Sequence, residues 1–156
     1  MLKMHKLYIA TINEFEECLQ KGINPLFWHR YIKLVPELRI KLQYKLFGNA
    51  DLGIKNIVRA NDKYYHYCLN YSSFICENCG MPLYALQHYD CYSSIYVSHI
   101  ISRGSDARMA HDPRNHNILC AKCHKKWESP QKSTMLIWID NLVVIEELKK
   151  DYNIFS

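Results

Sequence analysis

Two Cys-x-x-Cys pairs, Cys76/Cys79 and Cys120/Cys123, constrain this chain more than any other feature. Each pair turns tightly enough to aim two thiolates at one ion, and four thiolates close a tetrahedral structural zinc site. The pairs are separated by 40 residues, more than a short zinc ribbon carries. A substantial insert must therefore leave the first knuckle and return to the second. The chain has seven cysteines, and an odd total argues against a disulfide framework. Cys18, Cys68 and Cys91 lack ligand spacing and read as small core residues.

With 156 residues, 49% hydrophobic and 22% charged, the chain suits one full domain or a small domain with helical extensions. Its proportions exclude disorder and low complexity. No stretch approaches the roughly 18 uninterrupted apolar residues of a membrane span. The apolar run Leu7, Tyr8, Ile9 and Ala10 stops at Thr11, short of the roughly 7–15 residues of a signal-peptide h-region. The expectation is a cytoplasmic protein, of a bacterium or of a phage-infected cell. The net charge is +5, and its distribution is uneven. Residues 1–75 hold eleven Lys/Arg against six Asp/Glu, and residues 97–132 hold seven against three. The stretches 76–96 and 133–156 are each net −2. This balance permits a polyanionic partner without demanding one, and the acidic last segment is a poor candidate for meeting nucleic acid.

The pattern of elements is α+β in three regions. Residues 1–73 read as helical: Asn13 with Glu16 resembles a capping box, and Gly22 is a C′ stop. A second helix starts after Pro25 and restarts at Pro36 before Gly48. A third spans about 52–69, with Ile54, Ile57, Val58, Asn61, Tyr65, Cys68 and Leu69 as its core stripe. Arg30, Lys33, Arg39, Lys41 and Lys45 read first as a solvated helix face, with phosphate contact as the alternative. Residues 74–132 hold the knuckles. Gly80 supplies the backbone freedom of a tight metal turn. Residues 94–100 have strand composition. A short strand at Asn117, Ile118 and Leu119 precedes a helix opening at Cys120 or Ala121. Residues 133–156 read as an amphipathic helix through Met135, Leu136, Ile139, Leu142, Val143 and Leu148.

Three polar residues sit on this frame. His99 ends the first strand, Asn115 lies five residues before Cys120, and His124 directly follows Cys123. A knuckle, a strand ending in His, a loop with Asn, and then Leu-Cys-x-x-Cys-His on a helix together resemble the HNH endonuclease family, the zinc-containing ββα-metal nucleases. The resemblance covers about a third of the chain, roughly residues 76–128. The run of residues 98–105 also resembles, more loosely, a group of phage recombination nucleases, which tend to lack the His after the last Cys.

The resemblance implies a small ββα-metal core stapled by structural Zn²⁺ on Cys76, Cys79, Cys120 and Cys123. It implies a metal-dependent DNA endonuclease, whose products carry 5′-phosphate and 3′-hydroxyl. His99 is then the general base, Asn115 braces the loop that orients it, and His124 holds the catalytic divalent ion, Mg²⁺ or another. Arg103, Lys122, Lys125 and Lys126 would meet DNA phosphates. Such chemistry needs a base to deprotonate water and a cation where negative charge collects. In the family the residue before the base is usually an acid that ligates the metal. Here it is Ser98, which leaves the ion to His124 with phosphate oxygens and waters, or to a further group such as the nearby His116 or Asp112, or else points to a binding-only descendant. The rival readings are a catalytically inactive zinc module that binds nucleic acid, and an assembly protein that docks or homodimerises through the C-terminal helix.

Overall fold

The computed structural model describes residues 36–49, 52–83 and 94–154, with Glu17 and Gln20. The expectations at Asn13, Gly22, Pro25, Cys18 and Cys91 lie outside those residues. Two helices lead the described chain: α1 is Pro36–Phe47 and α2 is Ile54–Asn70. Proline at the first position of α1 forgoes an N–H that would have no partner in the helix. Gly48, at φ +107°, ends α1 in the left-handed region that an L side chain resists.

A 3₁₀ turn at Ser94–Tyr96 runs straight into strand β1, Val97–His99, which pairs antiparallel with β2, His116–Ile118. The register sets Val97 opposite Ile118, Ser98 opposite Asn117 and His99 opposite His116. The ribbon is shorter than the composition of residues 94–100 suggests, because its first three residues form the 3₁₀ turn. Helix α3, Ala121–Trp127, follows β2 directly with Cys120 as its N-cap. A 3₁₀ turn at Pro130–Thr134 then leads to α4, Trp138–Asp151. The chain is thus mixed α+β, with a two-stranded antiparallel sheet and a four-cysteine cluster. Among the described residues no helix is long and apolar enough to cross a membrane.

Two apolar clusters join these pieces among the described residues, the larger around Phe47 and Tyr64 and the smaller around Met109, Leu148 and Tyr152. Phe47 of α1 packs edge-on against Tyr64 and Tyr67 of α2, with ring centroids at 5.4 and 5.2 Å. The same cluster includes Ala60, Cys68, Leu69, Val97, Ile118, Leu119, Trp127 and Ile137. Burying an aliphatic or aromatic side chain of this size contributes about 1.5–3 kcal/mol, so a dozen such groups outweigh any surface pair. Two helix faces differ from the stripes read in the sequence. On α2 the buried positions are Ala60, Tyr64, Cys68 and Leu69, while Ile54, Ile57 and Val58 are exposed. On α4, Leu148 and Asn141 are buried, whereas Ile139, Leu142 and Val143 face outward.

The second correction concerns charge. Arg39 is neither solvated nor set to meet phosphate: it is 5% exposed and pairs with Asp151 at 3.2 Å. Arg114 reaches the same carboxylate at 2.6 Å and grips Asp112 at 2.9 Å. Tyr152 donates its hydroxyl to Asp112, also at 2.9 Å, and receives a bond from Gln43 Nε2 at 2.6 Å. This network rivets α1, α4 and the segment before β2 together. A charge pair this deeply buried costs about 3–5 kcal/mol when one member alone is removed. Arg114→Met, which removes the guanidinium paired with the buried Asp112, is therefore expected to lower unfolding free energy in urea by about that amount. A loss below about 1 kcal/mol would mean that the network carries no net weight.

Candidate metal centre and histidine site

The knuckles meet. Cys76, Cys79, Cys120 and Cys123 bring their sulfur atoms within 4.8 Å of one another. The first knuckle is a tight hairpin in which Cys76 N–H donates to Met81 O and Gly80 N–H donates to Cys76 O, both at 2.9 Å. Gly80 sits at φ +76°. The turn also aims Cys79 N–H at Cys76 Sγ, 3.5 Å away. In the second knuckle Cys120 is the N-cap of α3 but makes no side-chain capping bond, because its sulfur belongs to the cluster.

The donor set fits a metal. A tetrahedron with metal–sulfur bonds of about 2.3 Å has edges of roughly 3.8 Å, and Cys79 Sγ stands 3.8 Å from Cys120 Sγ. The thiols do not ionise alike. Burial pushes Cys76 up, but N–H groups of Cys79, Cys120 and Asn78 outweigh it and bring that thiol to about 7. Burial and its sulfur neighbours push Cys123 up to about 12. Each thiolate raises the cost of the next, so four together require a cation at their centre. Four cysteines so placed suit a structural metal such as zinc.

Neighbouring groups lock the cluster to the sheet. Glu77 N–H donates to Ile118 O at 2.8 Å, and the Glu77 carboxylate accepts from Ile118 N–H. Asn78 donates to Cys123 Sγ at 3.4 Å and accepts from Leu136 N–H at 2.8 Å. The first knuckle is thereby fastened to β2, to the second knuckle and to the entry of α4.

Of the three polar residues singled out in the sequence, His99 ends β1, Asn115 directly precedes β2 and His124 lies on α3. Asn115 is fully buried. Its amide accepts from Ile101 N–H at 2.7 Å and donates to Ile101 O and Met109 O at 3.0 and 3.1 Å. Those bonds close the loop between β1 and β2 from within. His99 lies at the mouth of that loop, half-buried, its Nε2 2.8 Å from Ala110 O. A carbonyl only accepts, so Nε2 carries the proton and Nδ1 keeps the lone pair. Tyr64 stacks on the imidazole with centroids 5.6 Å apart and planes 23° from parallel. Burial lowers the His99 pKa, more than the bond to Ala110 O raises it, and the nearby Arg103 guanidinium lowers it further. His124, on α3, is oriented the same way by Ile95 O, 2.5 Å from Nδ1, which leaves its lone pair on Nε2.

Around Tyr64 stand two further histidines. His111 is 5% exposed; its Nε2 donates to Asn61 Oδ1 at 2.7 Å. His116 donates from Nδ1 to Pro113 O at 2.7 Å. Burial holds both down at about 4. Tyr64, Tyr65 and His111 surround His99, with Asn61 holding His111, and only tertiary placement brings Tyr64 and His111 there. Of the two substitutes named for the acid before His99, Asp112 is paired with Arg114 and Tyr152, and His116 gives its Nδ1 to Pro113 O with the edge of Tyr64 beside it. Ser98 is 1% exposed and its hydroxyl finds no hydrogen-bond partner.

Arg103, Lys122, Lys125 and Lys126 are all exposed, the last three on α3 beside His124. Arg108 is tied to Asp106 at 2.7 Å. A cleft of about 850 Å³ opens beyond β2, lined among others by Glu77, His116, Asp140 and Glu147. That lining carries three carboxylates and Arg114, whereas Arg103 and the α3 lysines lie on the His99 and His124 side. No protein-family model, curated protein or solved structure matches this chain.

The buried imidazoles dictate a pH response. In the unfolded chain a histidine titrates near 6.5, while His111 and His116 titrate at about 4 when folded. Their contribution to stability is complete above about 6.5 and is lost as pH falls toward about 4. Each takes roughly 1.4 kcal/mol per pH unit across that window. Urea unfolding between pH 7 and pH 5 should show this decline, and His111→Asn should flatten it. A pH-independent midpoint over that range would refute the neutral, buried state of both groups.

Proposed function

We propose that this chain is a metal-dependent DNA endonuclease of HNH type, with a ββα-metal core held by Zn²⁺ on Cys76, Cys79, Cys120 and Cys123. The observation that carries the reading is the complementary orientation of two imidazoles, one closing β1 and one on the helix that starts at the cysteine cluster. Ala110 O holds His99 with a free lone pair on Nδ1, and Ile95 O holds His124 with a free lone pair on Nε2. Hydrolysis of a phosphodiester needs one group to receive a proton from water and another to hold a cation. His99 suits the first task, because burial keeps it neutral and its tautomer is set. His124 suits the second, because a metal-binding imidazole characteristically donates its other N–H to a carbonyl.

Mg²⁺ or another divalent ion on His124 would stabilise the charge that builds on the phosphorane and leaving oxygen. Asn115 maintains the loop whose Ala110 carbonyl orients the base. Arg103, Lys122, Lys125 and Lys126 supply phosphate contacts, which position the duplex without reading its sequence. A second reading, a zinc module that binds nucleic acid without cutting it, is favoured by Ser98, a buried hydroxyl with no charge to offer a metal.

Two measurements test this. Protein purified without chelator should contain one zinc per chain, and Cys76→Ser should lose it together with the protease resistance of residues 74–132. Absence of zinc by elemental analysis would sink the structural assignment. Wild type should nick supercoiled plasmid with Mg²⁺, Mn²⁺ or Ni²⁺. His99→Ala should retain metal and DNA binding while losing about 10²–10⁴-fold in rate. His124→Ala should be partly restored by raised metal, and His99→Ala should not. Failure of wild type to cleave under any divalent ion, with DNA still bound, would select the binding module.

A further inference from the structure

Helix α2 grips the loop that carries the Ala110 carbonyl. Asn61 Oδ1 accepts from His111 Nε2 at 2.7 Å, and Tyr64, three residues on, donates its hydroxyl to Asp112 O at 2.9 Å. The same helix face meets the His99 ring itself. Tyr64 stacks on it at 5.6 Å, and Tyr65 meets it edge to face with centroids 6.3 Å apart. Asn61, Tyr64 and Tyr65 share this side because spacings of three and four bring helical side chains together. One face of α2 thus holds both partners of the bond between His99 Nε2 and Ala110 O. It holds the ring directly, and the carbonyl through the residues that follow it.

Two asparagines bracket that carbonyl. On its N-terminal side Asn115 Nδ2 donates to Met109 O at 3.1 Å; on its C-terminal side Asn61 holds His111. Between them Ala110 N–H bonds to Ala107 O at 3.2 Å. Asn115 acts within its own loop, whereas Asn61 stands 50 positions before His111, outside the stretch that carries the knuckles. His111 is a rigid link, because the rings of Phe47 and Tyr64 flank it at 5.9 and 5.4 Å. Any buried imidazole needs a hydrogen-bond partner. Here the partner sits on the element that also stacks on His99, so one displacement of α2 moves both ends of the bond that orients the ring.

We propose that Asn61 is a positioning residue for His99: through His111 it fixes the Ala110 carbonyl that receives the Nε2 proton, and so aims the Nδ1 lone pair. The inference deepens the endonuclease reading, on which the role of His99 as base rests. A base must stand within hydrogen-bond reach of the water it deprotonates, and a displacement of about 1 Å lowers the rate by about 10²-fold. The helical region ahead of the knuckles then takes part in the chemistry by setting the direction of one lone pair.

The test follows the His99 ring proton by NMR in the full-length, zinc-replete protein at about pH 8, above the histidine range. Bonded to Ala110 O, that proton should be protected from exchange with water. Asn61→Leu keeps the size of the side chain and removes the acceptor, so the proton should exchange at least about tenfold faster. Asn61→Asp keeps the acceptor and should restore the protection. Leu69→Ala, a core truncation on the same helix, lowers stability and should leave the proton protected. Asn61→Ser, too short to reach His111, replaces Asn61→Leu if the larger side chain costs the protein its zinc. Unchanged exchange on loss of the acceptor would overturn the proposal. So would failure of Asn61→Asp to rescue, an equal loss in Leu69→Ala, or a wild type without a protected proton. Plasmid nicking separates this from the larger reading. Where wild type cleaves, Asn61→Leu should cut about 10–10²-fold more slowly at saturating DNA with its DNA affinity unchanged, and an undiminished rate would also overturn the proposal. Loss of the protected proton in Asn61→Leu with no cleavage by wild type upholds the positioning of His99 and rejects the nuclease. Cleavage with the proton still protected in Asn61→Leu rejects the positioning and upholds the nuclease.

Discussion

Four sulfur atoms within 4.8 Å of each other are the constraint on which the rest of this structure depends. As thiolates they repel, and as thiols they are small, weakly bonding groups that could not draw together two segments 40 residues apart. An ion at their centre reverses the sign of that interaction. Its consequences spread by direct bonds. The first knuckle reaches β2 through Glu77 and the α4 entry through Asn78. The second knuckle starts α3, so the cluster also fixes the azimuth of His124. A chain this small has limited apolar surface to organise such a region by burial alone, and metal-binding free energy becomes folding free energy.

The loop between β1 and β2 is held from two sides. Inside it, Asn115 bonds both ends of the loop at once. Outside it, Asp112 and Arg114 join a buried ion network with Arg39, Asp151 and Tyr152. Neither clamp touches the His99 ring, yet both set where the Ala110 carbonyl lies, and that carbonyl orients the ring. The helical region ahead of the knuckles is part of this arrangement. Tyr64 of α2 stacks on His99 and donates its hydroxyl to Asp112 O at 2.9 Å, coupling the ring to the ion network.

Several features were legible because their causes are local. Cys-x-x-Cys spacing, a glycine for the knuckle turn, a proline opening a helix and a helix opening at Cys120 all follow from backbone sterics and short-range geometry. Cys68 reads as a buried small residue and is one. The reading failed where two alternatives had equal local merit. The α2 sequence offers two apolar stripes, and Tyr64 rather than Tyr65 took the core because Phe47 and His111 stand there to receive it. Arg39 looked solvated because a lysine or arginine on a helix usually is. It is buried because Asp151, 112 positions further along, supplies the opposite charge.

What the sequence by itself determined is the set of donors and their order: four thiols in two knuckles, a histidine closing a strand, an asparagine in the following loop and a histidine on the second knuckle. Those are covalent facts, and their chemistry travels with the residue types. Which atom of each imidazole is available was decided only by tertiary structure. The tautomer of His99 is set by a carbonyl 11 residues away and that of His124 by one 29 residues away. Lone-pair direction is a property of the hydrogen bonds around a ring, and those bonds come from segments the sequence does not place beside it.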